Sequence, residues 1–232
     1  MATSPTGITM TVVAVGPGDP EFLTEKGRQA LADADLVVGF KTVLDVVSGH
    51  TGDAEVRPMA YRDQEAVLDY AQEQATQGKA CVVCVWGDLN VSAKELLNRV
   101  RRRAETVKLV PGISSVQIAC ARAGISLEES LFITLHQRWD RGSELGELVD
   151  TLRQGRRNVI LLPRPFDFMP PAIAANAIDD GADPDQKVTV FQRLSLPDEQ
   201  RWDGTLSQCA QLPDEFSDLS IMVFPRSAGD HD

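Results

Sequence analysis

The 232 residues predict an α/β protein of two lobes with a small-molecule cleft between them. Three observations carry this expectation. Apolar, β-rich runs alternate with helical patterns at the spacing of a parallel sheet. Three of the runs end in glycine turns: Gly16-Pro17-Gly18-Asp19-Pro20, Gly87-Asp88-Leu89-Asn90 and Pro111-Gly112-Ile113-Ser114-Ser115. In a parallel sheet such turns share one rim, where open α/β sheets take their ligands. Beyond Gly124 the alternation restarts with no low-complexity linker, so a second lobe is expected to pack closely on the first.

The elements follow in order. The run Val12-Val13-Ala14-Val15 is the first strand, and Thr24 is placed to cap a helix over residues 25–32. A strand at 35–39, a short helix at 41–47 and an edge strand at 55–58 come next. A longer helix starts at Arg62-Asp63-Gln64-Glu65, with Ala66, Val67, Tyr70, Ala71 and Ala75 at helical spacing, and Gly78 closes it. A strand at 80–85 leads to the second turn, after which Ser92 or Asn90 is expected to cap a helix over 93–103. A strand at 107–110 leads to the third turn and a helix ending at Gly124. The second lobe reads as strand 131–136, helix 144–152, strand 158–162, helix 169–178, strand 187–194, a turn and short helix at 204–209, and strand 220–224. The lobes are set at 9–113 and 114–226, with loose tails at 1–8 and 227–232.

Composition excludes several classes. Apolar residues make up 43% and charged residues 25%, the balance of a globular protein. No apolar run approaches a membrane span, and the first nine residues lack a signal-peptide core, so a cytoplasmic protein that binds no membrane is expected. A net charge of −11 argues against general nucleic-acid binding. The cations are 17 Arg and only 6 Lys, an acidic, lysine-poor surface compatible with a high-salt host. Cys81 and Cys84 form a C-x-x-C on a strand, where positions three apart face opposite ways, so neither a shared metal nor a disulfide is expected.

The first turn is poorly made for phosphate. Pro17 and Pro20 each remove a backbone donor, Asp19 adds negative charge, and the third glycine of a dinucleotide fingerprint is missing. A nucleoside without phosphates suits it better.

Gly-Pro-Gly-Asp-Pro followed by Leu23-Thr24, then Gly87-Asp88, then Pro111-Gly112-Ile113-Ser114-Ser115, resembles the ordered motifs of the tetrapyrrole (corrin/porphyrin) methylases. Leu135-His136-Gln137-Arg138 and Arg193-Leu194-Ser195-Leu196-Pro197-Asp198-Glu199, with Gly204-Thr205-Leu206, resemble the branch that methylates C5 of precorrin-6Y or cobalt-precorrin-7. Trp86, Leu89 and Gln137 depart from the family pattern, where a small residue, a proline and a glycine stand. The resemblance implies the two-lobed fold of that family, S-adenosylmethionine as cofactor, an anionic precorrin as substrate, and a homodimer. It also implies that C15 methylation and decarboxylation, carried by an extra domain in some members, fall to a separate polypeptide.

By the same resemblance Pro17, Gly87, Asp88, Val91, Ser114 and Ser115 contact the cofactor, with Leu162 and Gln192 from the second lobe. Chemistry leaves alternatives beside these roles. Asp88 can accept from ribose or ammonium, or cap a helix. Ser114 and Ser115 can also cap theirs, and Val91 can be plain core. His136 is a candidate to take a proton from the methylated carbon, or a structural residue at a strand end. Arg forks pair with carboxylates, and Arg138, Arg141, Arg164 and Arg193 follow strand ends in the second lobe, which makes them candidates for the substrate's acid arms. Methylation at another ring position, a non-tetrapyrrole substrate, or an inactive nucleoside-binding module are the readings that compete.

Overall fold

The computed structural model describes residues 7–136 and 141–227, without the side chains of residues 141 and 142. The chain divides into two compact units, Met1–Ser115 and Val116–Asp232. Both are α/β.

The first unit holds five parallel strands: β1 (Thr9–Ala14), β2 (Leu36–Phe40), β3 (Glu55–Met59), β4 (Cys81–Val85) and β5 (Thr106–Val110), in the order β3-β2-β4-β1-β5. Alternate residues point to opposite faces, so one apolar sequence builds two cores. Met10, Val12, Val38, Cys81 and Val83 pack with α3 (Gln64–Thr76) and α4 (Lys94–Arg101). Val13, Val15, Val37, Val82 and Cys84 pack with α1 (Glu25–Ala32) and α2 (Lys41–Val47). Cys81 and Cys84 therefore lie on opposite faces of the sheet. Thr24 caps α1, its hydroxyl accepting from Gly27 N–H at 3.1 Å. Gly78, at φ 87°, ends α3 with the Lys79 N–H returning to the Gln74 carbonyl at 3.2 Å.

The start of α4 differs from expectation. Its cap position is Ala93, with no side-chain cap bond, and Ser92 sits instead at φ 60° in the preceding turn. The helix also ends at Arg101; Arg103 folds back on α3, its guanidinium paired with Glu65 and Asp69.

In the second unit α5 (Ser115–Ala123) leads into β6 (Ser130–Thr134), α6 (Arg141–Gln154), β7 (Asn158–Leu162), α7 (Pro170–Asp179), β8 (Lys187–Gln192), β9 (Gln200–Thr205), α8 (Leu206–Cys209) and β10 (Ser220–Phe224). The sheet order is β6-β7-β10-β8-β9. β6 and β7 are parallel, whereas β10 runs against both β7 and β8. The C-terminal ends of β6, β7 and β8 consequently share one edge. β9 is a strand where only a turn was expected; it pairs antiparallel with β8 through the Arg193–Glu199 hairpin. Ile133, Val159, Leu161, Val190, Met222 and Phe224 form the core against α6, α7 and α8.

Candidate functional site

The rim of the first sheet is locked through its backbone. The Val15 N–H donates to the Val85 carbonyl at 2.9 Å, and Gly16 and Gly87 then exchange both bonds, at 3.0 and 2.9 Å. Both glycines have positive φ, 86° and 64°, which a residue with a Cβ adopts only with strain. Gly112 closes the arrangement. A Cβ there would stand 2.5 Å from the Ala14 carbonyl oxygen and 2.6 Å from that of Gly87, so the third turn is seated on the first two by the absence of a side chain.

Pro17 is buried beside Gly16, and Asp19 turns its carboxylate onto the Glu21 N–H at 2.8 Å. Pro17 and Pro20 carry no N–H and the Gly16 N–H is given to the Gly87 carbonyl, so three of this turn's five residues offer no backbone donor to an anion.

Asp88, next to the locked Gly87, is the rim's most demanding residue. Its Oδ1 accepts from the N–H groups of Asn90 and Val91 at 2.6 and 3.1 Å. It therefore caps its own turn and not α4, which starts six residues on. Its Oδ2 is buried with no partner, and the residue as a whole is 6% exposed. A desolvated carboxylate oxygen without a donor is costly, and a ligand hydroxyl or ammonium would relieve it. Val91 is half-buried and joins none of the core clusters. Ser114 is buried at the end of the third turn, and Ser115 is the first residue of α5. Pro17, Gly87, Asp88, Val91, Ser114 and Ser115 thus all lie on, or directly follow, the three interlocked turns.

The second unit gathers its own rim. The side chain of His136, just past β6, hydrogen-bonds the Pro163 carbonyl; burial pulls its pKa below the ordinary 6.5, and this bond opposes the shift only in part. Leu162 is buried at the end of β7. Arg164 follows, its Nε paired with Asp167 and its Nη2 buried without a partner. Gln192 is engaged within the fold: its Oε1 accepts from Ser217 N–H at 2.8 Å, and its Nε2 donates to Gln200 at 3.4 Å. Arg193 sits at φ 52°, half-exposed, with Nε 2.6 Å from Asp198. Arg138 lies outside the described residues, as does the side chain of Arg141 at the start of α6. Of the four arginines read from the sequence, Arg164 and Arg193 are therefore placed on the shared edge of β7 and β8. The sequence passed over Phe166, which stands on that edge at φ 73° and 79% exposed.

Among the described residues no group of three or more His, Cys, Asp or Glu could hold a metal ion, and no helix is long and apolar enough to cross a membrane.

A glycine-locked parallel sheet, an orphaned carboxylate on its rim and a second mixed α/β unit describe a ligand-binding α/β protein. The chain belongs to the tetrapyrrole (corrin/porphyrin) methylases, whose family model matches residues 9–210. It is 29% identical to the probable cobalt-precorrin-7 C(5)-methyltransferase of Methanocaldococcus jannaschii, over 92% of this chain and 96% of that protein. It is 25% identical to the cobalt-precorrin-4 C(11)-methyltransferase of the same organism, over 86% and 80%. The fold matches a uroporphyrin-III C-methyltransferase from Thermus thermophilus complexed with S-adenosyl homocysteine, at TM-score 0.70 and 21% identity, over 94% and 92% of the two chains. The chain is accordingly a methyltransferase of the tetrapyrrole family, with S-adenosylmethionine as the family's methyl donor.

Proposed function

We propose that the chain transfers a methyl group from S-adenosylmethionine to C5 of a precorrin or cobalt-precorrin in corrin-ring biosynthesis. The observation that carries the cofactor assignment is the buried, unpartnered Oδ2 of Asp88 on the glycine-locked rim. The donor set suits this cofactor. It has ribose hydroxyls and an ammonium to give to Asp88, and it brings no phosphate to need converging N–H groups.

When bound, the cofactor supplies an electrophilic methyl group on a sulfonium. The protein's part is to bind and align. Asp88 fixes the donor through a hydrogen bond, Ser114 and Ser115 add hydroxyls, and Pro17 and Val91 wall it with apolar surface. Alignment alone supplies much of the rate when the acceptor carbon is electron-rich. His136 is neutral at physiological pH and accepts the proton that the methylated carbon releases.

Support for C5 comes from the 29% identity that runs nearly end to end with the C(5) relative, and from the segments at Leu135–Arg138 and Arg193–Glu199. Calorimetric titration with S-adenosylhomocysteine is expected to give micromolar binding, with none for NAD. Isotope-labelled cofactor and a cobalt-precorrin-7 preparation should then yield one labelled methyl at C5 by mass spectrometry and NMR. A labelled methyl at C11 instead would move the chain to the other branch, and a folded protein that ignores S-adenosylhomocysteine would remove the cofactor assignment.

A further inference from the structure

The turn from Pro163 to Phe168 carries two features that burden the free protein. Arg164 is 9% exposed, and its Nη2 is buried with no partner, because Asp167 takes the Nε side of the fork. A guanidinium edge removed from water and left unpaired is destabilising. Two residues on, Phe166 adopts φ 73°, a left-handed conformation foreign to bulky side chains, and holds its ring 79% exposed. Burial therefore does little to offset that strain.

The turn is nonetheless held firmly. Arg164 and Phe168 exchange both backbone bonds at 3.2 Å, pinching the loop closed. Pro165 fixes φ inside it, and Phe168 and Met169 are buried at its far end, where Pro170 opens α7. His136 hydrogen-bonds the Pro163 carbonyl at its near end. A rigid turn that maintains an unpaired cation edge and a strained, exposed aromatic ring is pre-organised for something outside the chain. The ligand that relieves both is an acid arm attached to a flat apolar body.

The geometry points to this turn as the substrate-recognition element of the second unit. Arg164 takes one peripheral carboxylate of the macrocycle through Nη2, and Phe166 supplies a plate for the ring's flat face. This rests on the tetrapyrrole reading of the substrate. Asp167 acts as a positioning residue: by holding Nε it fixes the fork and leaves Nη2 as the donor still to be satisfied.

Two soluble probes separate the parts. Cobyrinic acid is a corrin with free acetate and propionate arms; dicyanocobinamide has the same ring with those arms amidated. Binding of each is measured by fluorescence titration, with S-adenosylhomocysteine binding and thermal melting on every variant. Arg164→Gln is expected to weaken cobyrinic acid about tenfold or more and leave the cobinamide unchanged. Phe166→Ala should weaken both corrins alike, by severalfold, with S-adenosylhomocysteine binding intact in both variants. Should Arg164→Gln fail to fold, Arg164→Lys keeps the charge without the fork, and the ratio between the two probes decides the point. Variants that bind both corrins as the wild type does would overturn the proposal. So would an Arg164→Gln protein that loses both equally, because that marks a purely structural arginine. A wild-type protein that binds S-adenosylhomocysteine but neither corrin would remove the tetrapyrrole reading itself.

Discussion

The α-carbon of Gly112 faces the carbonyl oxygen of Gly87 so closely that a methyl group would stand 2.6 Å from it. Since Gly87 is already bonded twice to Gly16, this one approach ties the ends of β1, β4 and β5 into a single rim. Gly112→Ala should therefore lower stability by about 2–3 kcal/mol and weaken S-adenosylhomocysteine binding. Gly146→Ala is the matched control: it lies in α6 with nothing within 4 Å of the added carbon, and should gain about 0.5–1 kcal/mol. Chemical denaturation of both variants checks the contrast. A Gly112→Ala protein as stable as the wild type would mean the rim can open without penalty.

Asp88→Asn separates the two oxygens of the carboxylate. The amide oxygen can keep the bonds from Asn90 and Val91, while its NH2 group replaces the acceptor that has no partner. Cofactor binding should fall about tenfold or more, with the melting temperature little changed. Calorimetry beside thermal melting would expose the alternative, in which stability falls and affinity does not.

His136 gives two pH signatures. Its folded pKa is below the unfolded value of 6.5, so between the two the unfolded chain binds more protons and stability rises with pH. The contribution is complete above 6.5 and is lost as pH falls through the folded value. His136→Gln should remove that slope from a stability profile taken between about pH 5 and 7.5. The same substitution should slow methyl transfer by about a hundredfold if the imidazole accepts the proton, and the acid limb of the wild-type rate profile should lie below 6.5. A variant with unaltered rate would leave His136 a structural residue.

The cysteines should be silent in the native state. All four are buried; burial pushes Cys81 up to about 11, and Cys84 and Cys209 up to about 12, so almost no thiolate is present at neutral pH. An aromatic disulfide reagent should report no fast thiol before denaturant and four after it. Prompt stoichiometric reaction of the native protein would contradict the burial.

Most of the first unit was legible because β2 and β4 are uninterrupted apolar runs, β1 ends in one, and the helices carry local start and stop signals, such as Thr24 before α1 and Gly78 after α3. The helix caps near Asn90 and Ser92 were misread. Asp88 captures the donors of that turn, and a side chain competing for its own backbone has no sequence mark to say which helix it serves. β9 escaped because Gln200-Arg201-Trp202-Asp203-Gly204-Thr205 is a polar edge strand. Cross-strand bonds such as that between Thr189 and Asp203, 2.7 Å, help to hold it to β8. At the site, the glycine turns and Asp88 were visible as motifs, but the exchange between Gly16 and Gly87 is a tertiary event. Arg164 is marked in the sequence only by following a strand; that Asp167 occupies one side of it, and that Phe166 stands exposed two residues on, depends on a loop conformation no periodicity encodes.

The order of strands in the first sheet also sets an order in time. Within this unit β1 comes first along the chain, yet its two neighbours, β4 and β5, come last, and Thr9 pairs with Thr106. As the chain emerges from the ribosome, an uncharged strand must wait for nearly the whole unit before it finds either partner. Non-local parallel pairing of this kind is slow, and the waiting strand is the natural target for chaperones and for misassociation. The glycine rim, which needs the ends of β1, β4 and β5 together, is then the last part of the unit to assemble.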